Sequence, residues 1–127
     1  MIEKQIDRAY FSVFLLAEGI IHIRVTSKDE ISLEQAKEII RTEAEIGSGK
    51  QYPVLISSET FSAPTAEARE FLAKKESNPY ASAHAYIARS LAEKLMVNAF
   101  LKFNRPERPT RMFSSEKGAL EWLRTFL

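Results

Sequence analysis

The chain has 127 residues, 45% of them hydrophobic, and 18 Lys and Arg against 17 Asp and Glu give a formal net charge of +1. That length supports one domain with a core of its own, and the balanced charge gives no reason to expect nucleic acid as a partner. Cysteine is absent, which excludes disulfides, thiolate catalysis, iron–sulfur clusters and cysteine-based zinc sites, and fits a reducing cytoplasm.

The first residues, Met1 to Arg8, mix charges of both signs and lack the basic-then-apolar run of a secretory signal. The longest apolar stretch, near Val13 to Ile23, is interrupted by Glu18, Gly19 and His22 and is too short to cross a bilayer as a helix. The expectation is a cytoplasmic protein with no integral membrane association. Tyr10 to Ala17 and Ile20 to Thr26 read as two strands of a β-hairpin turning at Glu18-Gly19. In the second strand Ile21, Ile23 and Val25 share one face, while His22, Arg24 and Thr26 share the other.

Ser32 followed by Gln35 is a capping-box pattern, and Leu33, Ala36, Ile39, Ile40 and Ala44 then recur at near-helical spacing until Gly47 and Gly49. Tyr52 to Ser57 has the continuous apolar character of a central strand, with Pro53 acceptable only at its start. After the turn Thr60 to Thr65, the residues Ala68, Phe71, Leu72 and Lys75 mark a second helix, closed by Asn78-Pro79. Ala83 to Ala88 is a short strand. Ser90 and Glu93 then cap a third helix whose stripe is Ala92, Leu95, Met96, Ala99 and Phe103. Arg105-Pro106 stops it, and Thr110 to Phe113 forms another strand. The last helix places Ala119, Trp122, Leu123 and Phe126 on one face, so Trp122 is expected to be largely buried against the sheet. Helices alternating with single strands call for parallel pairing. The predicted fold class is α/β: a mixed sheet with an N-terminal β-hairpin and about four helices in a single domain over residues 1–127.

This order of elements, with the stretch Asn98 to Asn104, Met112-Phe113 and Ala119 to Leu123, resembles the SpoIIAA-like, or STAS, superfamily of small bacterial regulatory domains. The resemblance covers nearly the whole chain and implies a protein-interaction or regulatory role without catalysis. In the anti-sigma-factor antagonists of that superfamily a Ser preceded by Asp, just after the central strand, is phosphorylated. Here the corresponding turn reads Thr60-Phe61-Ser62-Ala63-Pro64-Thr65-Ala66, without the Asp-Ser pair. Ser62 and Thr65 are the candidate phosphorylation sites, and both are also good helix caps.

No catalytic, cofactor or metal site is expected. His22 and His84 are the only histidines, too few for zinc without carboxylate help. His22 is expected to point outward beside Arg24, and His84 to be a partly exposed structural residue. Gly47 to Lys50 lacks P-loop spacing and follows a helix. Arg105, Arg108 and Arg111 read as a solvated loop. The third helix is apolar around more of its circumference than docking requires, and Leu91, Phe100 and Leu101 fall off its stripe. Those residues are the candidate interaction surface, facing a protein partner or a second copy in a homodimer. The two function classes carried forward are a non-catalytic interaction module and a domain that binds a small apolar ligand or lipid between sheet and helices.

Overall fold

The computed structural model describes residues 1–127. Strands β1 (Ile2–Asp7), β2 (Phe11–Leu16) and β3 (Ile20–Val25) pair antiparallel. β2 and β3 are the predicted hairpin, and Gly19 at its turn has φ +93°, a conformation that glycine reaches without a Cβ penalty. β1 was not expected from the sequence. Of its residues only Ile6 is even partly buried, and Glu3, Lys4 and Asp7 charge this free sheet edge, so no alternating pattern marks it.

From β3 onward the sheet is parallel: β4 (Tyr52–Ser58), β5 (Ala81–Ile87) and β6 (Thr110–Phe113) extend it into six strands in sequence order. Helices α1 (Leu33–Ile46), α2 (Ala66–Ala73) and α3 (Leu91–Ala99) connect consecutive parallel strands, and α4 (Glu116–Arg124) follows the last. Successive crossovers of one hand along one direction of a sheet place their helices on one face. Accordingly α1 and α2 pack on the face that carries Ile21, Ile23 and Val54, with Ala36, Ile46 and Ala68 completing that core. α4 makes no crossover and covers the opposite face, where Ala119 and Leu123 are fully buried against Leu55, Ala83 and Ala85.

The predicted capping boxes at Ser32/Gln35 and Ser90/Glu93 are both present. α3 departs from regular geometry at its end. It runs on as a π-helical turn over Phe100–Asn104, and Arg105 ends it in the left-handed region at φ 49°. Trp122 is half-buried, less than expected, because it lies by the edge strand β6 with no further strand to cover it. Its indole packs instead against Phe113 and Phe126, at ring-centroid distances of 5.7 and 4.9 Å. No helix is long and apolar enough to cross a membrane.

Candidate functional site

An apolar cavity of about 110 Å³ lies between the sheet and the helices α1, α2 and α3. The sheet supplies Ile23, Val25 and Ile56 as its floor. α1 contributes Ile39 and Ile40 and α2 contributes Leu72, while Met96, Val97 and Phe100 close it from α3 and the π-helical turn. A space of that size in a native core is uncommon, since interiors pack to crystal-like density with few voids larger than a water molecule.

The lining also includes polar groups that burial alone would exclude. Glu43, Asn78 and His84 are 1%, 2% and 5% exposed, and Tyr86 is half-buried beside them. Glu43 reaches this position because residues 36, 40 and 43 share the inner face of α1, so a carboxylate continues the stripe begun by Ala36 and Ile40. His84 and Tyr86 are alternate residues of β5, which sends both to the helix-covered side while Ala83 and Ala85 face α4. Their rings are 6.0 Å apart, and Phe100 meets Tyr86 edge-on at 6.0 Å.

Asn78 links the cluster to the loops. Its Nδ2 donates to Glu43 Oε1 at 3.3 Å, and its Oδ1 accepts from the Tyr80 amide at 3.1 Å. Its carbonyl accepts from Arg108 Nη2 at 2.8 Å, and the same nitrogen reaches the Lys75 and Lys74 carbonyls at 3.3 and 3.4 Å. Arg108 thereby ties the loop before β6 to the carbonyl-rich end of α2. Glu107 adds to the same junction, its carboxylate accepting from the Lys75 amide at 2.6 Å. Glu43 Oε2, and Nε and Nη1 of Arg108, remain buried without a partner.

These surroundings move the titrations of the cluster. Burial pushes the Glu43 carboxyl up to about 7, against the opposing effects of the Asn78 hydrogen bond and the Arg108 charge. Burial and the Arg108 charge together lower His84 to about 3, so its imidazole is neutral at physiological pH. Burial raises Tyr86 to about 12, and the Arg108 guanidinium itself is lowered by desolvation.

A family model described as a domain of unknown function, DUF7793, matches residues 14–127. The chain belongs to the DUF7793 family. A crystal structure of a protein with unknown function from Arthrobacter sp. FB24 is similar at 25% identity, covering 87% of this chain and 96% of that one, with a TM-score of 0.31. No curated protein matches.

In this DUF7793 chain several sequence expectations change. His84 is buried rather than partly exposed, because β5 is covered on both faces. Arg108 is buried at 5% exposure, not part of a solvated loop, since the carbonyls it serves lie inside the α2 junction. On α3 the inward stripe is Glu93, Met96, Val97 and Phe100, turned from the predicted one. Phe100 is therefore core at 5% exposure, and Leu101 is half-buried; of the candidate interaction residues Leu91, Phe100 and Leu101, only Leu91 lies well out in solvent. Leu95 and Phe103, assigned to the docking stripe, are exposed instead.

The two candidate phosphorylation residues are both engaged locally. The Thr65 hydroxyl caps α2 by accepting from the Ala68 amide at 3.2 Å. Ser62 donates its hydroxyl to the Asp29 carbonyl and so ties the loop before α2 to the loop before α1. His22 lies on the α4 side of β3, half-buried, with Nε2 2.7 Å from Ser57 Oγ. No group of three or more His, Asp or Glu side chains is arranged to hold a metal ion. Glu43 and Tyr86 escaped the sequence analysis, which took Asn78 only as a helix end and Arg108 only as part of a solvated loop. The signal for them was Glu43 on an apolar helical stripe and large polar residues alternating with alanines in β5.

Proposed function

We propose that this chain is a non-catalytic binding module that takes a small, mainly apolar molecule into the cavity under α3. The observation that carries the reading is the cavity itself: about 110 Å³ of space, apolar on its sheet floor and helical roof, with one polar side. Ligand sites combine an apolar lining with a few convergent polar groups in this way. An apolar cavity of about 150 Å³ holds benzene, so this smaller space is scaled to a short chain, and a small ring enters it as α3 yields slightly.

Toluene uptake tests the proposal. Titration followed through the methyl resonances of Ile23, Val25 and Val97 is expected to give saturable shifts that Ala36→Leu, by filling the space, removes. Shifts spread evenly over the surface, or equal uptake by the filled variant, would refute it.

A second reading is favoured by a separate observation. Leu91, Leu95 and Phe103 are 73%, 61% and 74% exposed along α3 and its continuation. Exposed apolar side chains concentrated on one short segment suit a protein partner or a second copy of the chain. The resemblance to SpoIIAA-like regulatory domains points the same way, toward a regulatory interaction module.

A further inference from the structure

We propose that the molecule taken into the cavity is a small neutral amphiphile, an alcohol or phenol, whose hydroxyl seats on the polar side formed by Glu43, His84 and Tyr86. This rests on the cavity reading above and adds the chemical class of the ligand.

Unused hydrogen-bonding capacity faces the cavity on that side. Glu43 is 1% exposed, yet its Oε2 has no partner in the protein, while Oε1 is held by Asn78. The side chains of His84 and Tyr86 line the same space. A buried polar group without a partner is destabilising by roughly 1–3 kcal/mol, and native structures leave few of them. One orphaned carboxyl oxygen, with an imidazole and a phenol beside it on the same lining, forms a built recognition surface. Together they offer a carboxyl acceptor, a neutral imidazole that accepts at one nitrogen and donates at the other, and a phenol that does both.

The charge balance then selects the head group. A hydroxyl donates once and accepts twice, so it can give its proton to Glu43 Oε2 and accept from His84 or Tyr86 without bringing a net charge into the cavity. A carboxylate would be desolvated against the Glu43 carboxyl, and its natural partner, Arg108, does not line the space. An ammonium would ionise Glu43 but would add a second cation to an interior that already holds the 5%-exposed Arg108. A pure hydrocarbon fits the apolar body of the cavity and leaves Glu43 Oε2 without a partner.

The test compares toluene, benzyl alcohol, benzoate and benzylamine, which share one skeleton, by calorimetric titration of the full chain. Benzyl alcohol is expected to bind roughly tenfold tighter than toluene, the worth of one or two net hydrogen bonds, with both ionic probes weaker than the alcohol. Glu43→Leu should abolish the preference for alcohol while retaining toluene, and Tyr86→Phe should reduce it. Glu43→Gln, which keeps an acceptor and the side-chain shape, should preserve most of it and guards against a folding defect in the leucine variant. Equal binding of toluene and benzyl alcohol, tightest binding of benzoate or benzylamine, or an alcohol preference that survives Glu43→Leu would overturn the head-group assignment while leaving the cavity reading intact. Failure of every probe, toluene included, would instead remove the cavity reading on which it rests.

Discussion

The buried carboxyl at the end of α1 predicts a pH-dependent gain in stability from Glu43→Gln. Glu43 titrates near 4.5 in the unfolded chain and at about 7 when folded. The folded state therefore binds the extra proton between those values, and the stabilisation from protonation is complete below pH 4.5 and is lost as pH rises through 7. At ~1.4 kcal/mol for each tenfold change in the proton equilibrium, the full loss is about 3 kcal/mol. The glutamine side chain cannot ionise, so the variant should match the natural chain near pH 4 and exceed it by up to about 3 kcal/mol above pH 8. Urea unfolding read by the half-buried Trp122, repeated across that range, is the assay. A difference independent of pH would show that Glu43 titrates as an ordinary surface carboxyl and would refute the reasoning.

His84 acts with the opposite sign, which makes the comparison with the natural chain necessary. Its folded value of about 3 lies below the ordinary 6.5, so the folded state binds fewer protons in that interval and loses stability as pH falls below 6.5. Between pH 4.5 and 6.5 the two residues pull in opposite directions with similar slopes. The natural chain should show a broad, nearly flat stability maximum there, whereas Glu43→Gln should show a rising slope.

Thr65→Ala should lower stability by about 1 kcal/mol through loss of the α2 cap, measured by urea unfolding, with Thr65→Ser restoring most of it. Phe100→Ala should cost about 3–5 kcal/mol, because the ring is buried against Tyr86; a cost below about 1 kcal/mol would place it outside the core. Phe103→Asp should keep the circular dichroism spectrum and thermal midpoint of the natural chain, since that side chain is 74% exposed. If the outer face of α3 mediates self-association, the same substitution should shift the sedimentation of a concentrated sample toward monomer.

The elements that bury a clear stripe or alternation were legible in the sequence. The hairpin, the central strand β4, the capping boxes of α1 and α3 and the short strand β6 all follow from local signals that agree with tertiary structure. β1 was hidden because an edge strand with almost every side chain exposed needs no hydrophobic period. The rotation of α3 was hidden for the opposite reason. With Leu91, Leu95, Met96, Val97, Phe100 and Phe103 spread around it, several stripes fit equally well, and the choice between them depends on what lies beneath. The polar cluster was illegible for a third reason: Glu43 and Asn78 are 35 residues apart and Asn78 and Arg108 are 30 apart, and three different crossovers bring them together beside His84. No local window contains that convergence.

The same topology explains why one helix carries both functional readings. Right-handed crossovers commit α1, α2 and α3 to one face of the sheet, and α3 is the last of them, with a single neighbour in chain order and an outer side left in solvent. Its inner residues Met96, Val97 and Phe100 close the cavity, while Leu91, Leu95 and Phe103 face outward. Whatever fills the space beneath α3 bears on the helix that presents the outer face. If a cavity ligand and a protein partner both bind, any shift the ligand causes in the position of α3 changes partner affinity, and linkage requires the partner to change ligand affinity by the same factor. The π-helical turn over Phe100–Asn104 is where such a shift would be absorbed, because its wider hydrogen-bonding pattern and the left-handed Arg105 already interrupt the regular ladder at the point where the cavity ends.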